Sequence, residues 1–218
     1  MDQEVRKTRS GKPKTRIQAA NRETILAAAL PIFAAYGYRG STIDQIAKSA
    51  GMSKPNLLYY FGRKEEIYAA LLERTLTEWL APLRVLERDG DPETELRFYI
   101  AAKLRMTFEQ PEASRLFANE ILSGAPVIRP YLETELRALV EAKASVIAQW
   151  IADGRIAPVD PVHLIFTIWA TTQHYADFAV QIEAVLGDRA RAPGFLEETT
   201  EAILAIILGG ARPAPSPR

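Results

Sequence analysis

Apolar residues recur every three or four positions through nearly the whole chain, and the strict alternation that builds a half-buried strand is missing. Ile25, Ala28, Ala29, Ile32, Phe33 and Tyr36 share one face of a helix predicted over 17–36. Gly37 is its natural C-cap, because glycine tolerates the left-handed conformation needed there. Pro31 lies inside this pattern and is expected to kink the helix or end it a turn early. A short helix starts at Ser41 or Thr42, since Ser41-x-x-Asp44 and Thr42-x-x-Gln45 both resemble a capping box. It turns Ile43, Ile46, Ala47 and Ala50 inward. Gly51 breaks it, Ser53 caps a two-turn helix over 54–60, and Pro55 fits a first-turn position where its missing N–H is harmless. From Lys64 an amphipathic helix runs to about Leu80 and is expected to end near Pro82. Helices follow at about 93–109, 112–123, 127–153, 161–186 and 194–209, with Pro- and Gly-containing breaks between them. Residues 1–16 are polar and rich in Lys, Arg, Ser and Pro, and read as a disordered arm; residues 211–218 read as a frayed tail. The pattern predicts an all-α protein with a small three-helix part over 17–64 and a larger helical part over 65–210.

Composition narrows the chemistry. The 218 residues contain no cysteine, which excludes disulfide frameworks, thiolate metal clusters and cysteine catalysis. Two histidines, His163 and His174, leave little for a histidine-ligated metal, so neither a metal nor a cofactor is expected. No apolar run approaches the roughly 18 residues of a membrane span, and the polar start of the chain does not read as a secretory signal. A cytoplasmic, soluble protein is expected.

The formal net charge of zero conceals two opposite segments. Residues 1–64 carry 12 Lys and Arg against four acids, a net of +8, which leaves −8 for the remainder. A basic N-terminal third points to a polyanionic partner. The same third holds the segment Thr42 to Phe61, which fits a helix-turn-helix. Ala47 and Gly51 let two helices cross closely, Leu57, Leu58 and Phe61 face inward, and Lys54, Asn56 and Tyr59 project toward a major groove. Lysine reaches phosphate or guanine, asparagine the adenine edge or the backbone, and a hydroxyl of Tyr59 or Tyr60 a phosphate oxygen. Thr42 and Lys64, each at a helix start, stand where side chain and backbone N–H can grip phosphate together.

The run from Arg22 through Ile67, above all Ala50-Gly-Met-Ser-Lys-Pro-Asn-Leu-Leu-Tyr-Tyr-Phe-Gly-Arg-Lys-Glu-Glu66, resembles the TetR family of bacterial transcriptional repressors. The resemblance implies a homodimer whose three-helix head reads half of a pseudo-palindromic operator in double-stranded DNA. It also implies a C-terminal helical domain that binds an effector and dimerises. At matching positions Thr42, Lys54, Asn56, Tyr59, Tyr60 and Lys64 look like DNA contacts. Gly62-Arg63 stands where the family usually has Pro-Ser, which alters the cap of the next helix and adds a charge facing phosphate.

Three further stretches are similar to the pyrimidine-utilisation, uracil-sensing branch of that family: Glu78 to Leu83, Ala113 to Pro126, and Asp160 to Phe178. The resemblance implies a small-molecule effector such as uracil or thymine. In the last stretch Phe166, Trp169, Gln173 and Asp177 recur at helical spacing. A uracil-like ring offers a π face, N–H donors and two carbonyls; Trp169 can stack on it while the Gln173 amide both donates and accepts along its edge. Trp79 closes the pocket from another side, and Arg105, Arg115 and His174 are candidates for a ligand carbonyl. The same face also suits core packing or a dimer seam. Ile203, Leu204, Ile207 and Leu208 form an apolar stripe expected to pair, with the helix around 165–182, into a four-helix bundle between two copies.

The expected mechanism sets two recognition helices about 34–36 Å apart, one turn of B-DNA. Ligand would tilt the helix from Lys64 to Leu80, and DNA and ligand would weaken one another through reciprocal linkage. A repressor of another pathway, sensing a different planar or lipophilic molecule, is the alternative. An enzyme built on Asp177 and His174 lacks any nucleophile elbow, metal cluster or phosphate loop, so the chain reads as a regulator rather than a catalyst.

Overall fold

The computed structural model describes residues 12–211, with side chains from 16 to 210, and among these the secondary structure is helical throughout. The helices are α1 (Lys12–Gly40), α2 (Ile43–Ser49), α3 (Lys54–Tyr60), α4 (Lys64–Arg84), α5 (Pro92–Glu109) and α6 (Pro111–Leu122). They continue as α7 (Arg129–Tyr131), a π-helical turn (Leu132–Leu136), α8 (Arg137–Ala152), α9 (Pro161–Asp177), α10 (Ala179–Leu186), a 3-10 turn (Gly187–Arg191) and α11 (Phe195–Ala211). The chain divides into two compact units at Leu71–Leu72, inside α4 and seven residues beyond the expected boundary. Helix α1 starts at Lys12, within the segment read as a disordered arm; residues 1–11 and 212–218, the rest of the arm and nearly all of the tail, lie outside the described residues.

In the first unit α1 continues through Pro31, and its one non-helical residue is Gly37 (φ 66°), so the expected early stop at the proline does not occur. The conformation at Gly37 is in the left-handed region that glycine adopts without a Cβ clash. The Ser41 hydroxyl closes the turn by donating to the Gly37 carbonyl at 2.7 Å. Ile25, Ala29, Phe33, Ile46, Leu57, Phe61, Ile67 and Leu71 form a dry core, with the Tyr68 ring edge-on to Phe33 at 5.0 Å.

In the second unit α9 is the central helix, packed against α5, α6, α8, α10 and α11. Tyr99, Ile100 and Leu104 of α5 are buried in the same core as Ile165 and Ile168 of α9. Asp91 and Asp160 cap α5 and α9 by accepting from the backbone N–H of Thr94 and His163. The Trp150 indole N–H donates to the Arg88 carbonyl at 2.8 Å. Buried Glu120 accepts from the Val127 and Ile128 N–H groups at 2.7 and 3.2 Å, which fixes the chain before α7.

Three expectations are corrected here. Helix α4 does not end near Pro82 but carries it inside and stops at Arg84. The helix expected over 161–186 is two helices, broken at Phe178 (φ −115°, ψ 30°), whose ring stacks on His174 at 4.9 Å. The stripe of Ile203, Leu204, Ile207 and Leu208 is not an open surface, since all four are buried within the single chain, where α11 packs on α5. On α10 and α11 the large apolar residues in solvent are Val180 (84% exposed), Val185 (76%) and Ile206 (74%), with Phe178 just before α10; elsewhere in this unit Leu122 (85%), Val85, Phe98, Ile121 and Phe166 are also exposed.

Candidate nucleic-acid interface and effector site

The first unit is organised around α3. Thr42 completes a capping box at the start of α2: its hydroxyl accepts from the Gln45 N–H at 3.2 Å, while its own N–H donates to Gln45 Oε1 at 2.8 Å. Ser53 caps α3 by accepting from the Asn56 N–H, and Gly51, at φ 65°, makes the intervening turn. With Leu57 and Phe61 buried, helical geometry places Lys54, Asn56 and Tyr59 in solvent and leaves Tyr60 half-buried. Lys54, Asn56 and Tyr59 are thus exposed on one short helix, and Tyr60 at its end is partly covered.

Three cations behave differently from expectation. The Lys64 ammonium is turned inward: it donates to the carbonyls of Tyr38 and Ser41, both at 2.6 Å, and lies 4.4 Å from the Tyr38 ring centroid. It staples the end of α1 to the start of α4 instead of reaching out. Arg63 faces Glu66 at 3.3 Å and Glu65 at 3.8 Å, so its charge is balanced locally. Lys54 is exposed but forms an ion pair of 2.9 Å with Asp44.

Sequence reading also missed the residues that hold α3 from behind. Asn21 Nδ2 donates to the Tyr60 hydroxyl at 2.6 Å, and Gln18 Nε2 approaches the Tyr59 hydroxyl at 3.5 Å. The Arg22 guanidinium donates to the Tyr60 carbonyl at 2.7 Å and lies 3.9 Å from the Phe61 ring centroid. Their spacing of three and four along α1 was the available signal.

In the second unit a polar group is buried where a core would be apolar. Trp79 is 4% exposed, tilted against Phe117, and its indole N–H is fully enclosed without a hydrogen-bond acceptor. Lys103, also 4% exposed, sets its ammonium 4.4 Å from the Trp79 ring centroid. Burial pushes the Lys103 amine down to about 8, opposed by the attraction of Asp177. Burial likewise pushes the Asp177 carboxyl up, opposed by a hydrogen bond from the buried Ser114 hydroxyl and by Lys103, His174 and Arg115. Nearby on α5, the Tyr99 hydroxyl accepts from the Trp169 indole N–H at 2.6 Å, and its burial raises the phenol above its ordinary value.

Of the candidates named from sequence, Trp79 belongs to this buried group, and Trp169 and Gln173 are half-buried on α9, the helix that also carries Asp177. Arg115 pairs with Glu112 at 3.7 Å and still acts on Asp177. Arg105 stays on the exposed side of α5 and does not join the group. His174 opens instead onto a cavity of about 350 Å³ with Tyr175, Ile182 and Phe195. Another cavity, of about 360 Å³, is lined by Leu132, Leu136, Val140, Val162, Phe166 and Trp169. Lys103 and Ser114 were missed. A lysine inside the apolar run Tyr99 to Leu104 was the overlooked signal, because an unpaired amine on a core face needs a reason.

Among the described residues no group of His, Asp and Glu is placed to hold a metal ion, and no helix is long and apolar enough to cross a membrane.

Comparison with known proteins accounts for both units. Residues 25–71 match the family of bacterial regulatory proteins, tetR family, and residues 72–214 match the C-terminal region of YcdC-like proteins. The chain is 46% identical over 200 residues to the HTH-type transcriptional regulator RutR of Escherichia coli K12, covering 92% of this chain and 94% of that one. Among solved structures it resembles the ketosteroid transcriptional regulator KstR2 of Mycobacterium tuberculosis (TM-score 0.67, 22% identity, 88% of this chain and 95% of that one). It also resembles the TetR family transcriptional regulator PfmR of Thermus thermophilus (TM-score 0.68, 22% identity, 88% and 98%). At that identity the two structures speak for the fold alone.

Proposed function

The chain belongs to the TetR family of bacterial regulatory proteins, and from that premise we propose a transcriptional regulator that senses uracil or a closely related pyrimidine in its larger unit. Regulators of this family bind operator DNA, act as dimers and bind small-molecule effectors. The reading assigns operator contacts to Lys54, Asn56, Tyr59 and Tyr60, with Thr42 at the start of α2. The Lys64 ammonium contributes by holding the head together. Dimerisation is assigned to the exposed apolar residues of α10 and α11, and the protein to the cytoplasm, where its DNA is.

The observation that carries the effector reading is the buried, unsatisfied indole N–H of Trp79 beside the Lys103 cation. A donor left without an acceptor in a dry interior costs about 1–3 kcal/mol, and a carbonyl-bearing ligand removes that cost. Two donors, from Trp79 and Lys103, suit the two carbonyls of a pyrimidine dione. The Asp177 carboxylate and the Gln173 amide suit its ring N–H groups, and Trp169 its π face. Trp79 stands on α4, which begins in the DNA-binding head at Lys64, so a ligand that takes the Trp79 N–H acts on a helix common to both units.

Calorimetric titration with uracil, thymine and cytosine tests this. One saturable site per subunit for uracil, weaker or absent binding of cytosine, and loss of binding in Trp79→Phe are expected. Equal affinity for cytosine, or none for uracil, refutes it. A second reading, a flat lipophilic effector, is favoured by the apolar cavity beside Phe166 and Trp169.

A further inference from the structure

The proton of a tyrosine hydroxyl goes where its lone pairs are not already filled. A neutral phenol has one donor and can accept two hydrogen bonds. In the first unit Asn21 Nδ2 donates to the Tyr60 oxygen at 2.6 Å, a short and direct bond from a half-buried side chain. With that lone pair filled from α1, the O–H is free to point elsewhere. Tyr60 is itself held in place. Arg22 donates to its carbonyl at 2.7 Å and covers the next ring, Phe61, at 3.9 Å, so the last turn of α3 has its terminal acceptor satisfied by a cation. The Tyr59 ring meets Tyr60 edge-on at 5.2 Å, and Gln18 reaches toward its hydroxyl.

We propose that Asn21 is a positioning residue for DNA binding, which fills one lone pair of the Tyr60 hydroxyl and thereby aims its proton outward at a phosphate oxygen. Arg22 fixes the end of the helix that carries this tyrosine. The arrangement sets affinity without reading sequence, because a phosphate contact is the same at every base pair. It depends on the head alone and is independent of which effector the larger unit takes.

A double-mutant cycle on the full-length protein tests the proposal. The DNA is the duplex that the wild-type protein itself enriches from a random-sequence library. Asn21→Leu, which keeps the volume and removes the donor, is expected to weaken binding about five- to tenfold in the wild-type background. In the Tyr60→Phe background the same change should cost less than twofold, because there is no hydroxyl left to aim. Affinity for non-operator DNA should fall in parallel with operator affinity, leaving their ratio within twofold. Thermal melting of each variant reports whether the head is folded; should Asn21→Leu lower the melting temperature by more than about 5 °C, Asn21→Ser is read in its place. A loss of the same size with and without the Tyr60 hydroxyl, or no loss in either, overturns the proposal.

Discussion

The Lys103 ammonium lies 4.4 Å from the centre of the Trp79 ring, so a buried cation rests on the very indole whose N–H has no acceptor. Cation and ring attract one another, yet both are polar groups removed from water. A core built only for stability would fill this space with aliphatic side chains. In the proposed function this pair supplies the two donors for a carbonyl-bearing ligand.

Replacing Lys103 with methionine should therefore separate binding from stability. The buried ammonium gives way to an apolar chain of similar length, which is expected to stabilise the fold by about 1–2 kcal/mol. Uracil binding should fall at least tenfold. Calorimetry and thermal melting on one sample check both, and a variant that loses stability and keeps affinity contradicts the assignment.

Stability should also rise with pH through the alkaline range. The folded-state amine titrates at about 8, below its ordinary 10.5. Between these values the unfolded chain holds the extra proton, and stability increases with pH wherever the unfolded state binds more protons. The penalty is complete below about pH 8 and fades toward pH 10. Asp177 adds the opposite sign at acid pH, since its raised carboxyl leaves the folded state holding more protons above the ordinary carboxylate value, and its penalty appears as pH rises through that lower window. Melting temperature measured from pH 7 to 10 should favour the wild type progressively over Lys103→Met; a constant difference would deny the amine its burial.

In the proposed function Lys54 contacts DNA, and Asp44, paired with it at 2.9 Å, competes for the same ammonium. An exposed pair of this kind contributes about 0–1 kcal/mol, so Asp44→Asn should leave the melting temperature almost unchanged. Operator affinity should increase several-fold, and the slope of log affinity against log salt should steepen by about one phosphate contact. An unchanged slope would mean that Lys54 never leaves its carboxylate.

Ile206 and Leu204 lie two residues apart on α11 and should respond differently to a charge. Ile206 is 74% exposed in the single chain, so Ile206→Glu is expected to give a folded monomer in sedimentation. Leu204 is buried against its own chain, and Leu204→Glu should unfold the larger unit. A dimer that survives Ile206→Glu would move the interface off this face.

Much of the head is legible because its signals are local. Thr42, Ser53 and Pro55 act on their own helix starts, Gly51 on its own turn, and the recognition helix follows from them. Elsewhere the outcome depends on partners distant in sequence. Pro31 reads as a kink or a helix end and Pro82 as a helix end, yet the chain stays helical through both. Phe178 breaks a helix without glycine or proline, and its stacking on His174 has no signature in the string. The stripe from Ile203 to Leu208 looks like an interface only until α5 is known to cover it. Lys64 reads as a phosphate ligand by position, and only the fold brings the Tyr38 and Ser41 carbonyls to its ammonium. The proposed effector site is half visible: Phe166 and Trp169 stand at helical spacing, whereas Lys103 and Ser114 belong to α5 and α6.

All three tryptophans fall in the larger unit, and each indole N–H has a different fate: Trp150 donates to the Arg88 carbonyl, Trp169 to the Tyr99 hydroxyl, and Trp79 to nothing. The molecule thus carries its own label for one half of its work. A nitrogen-15 spectrum of the indole region would hold three resonances, two of them tethered and one free to answer a ligand, while the DNA-binding head, which has tyrosines but no tryptophan, stays silent in that window.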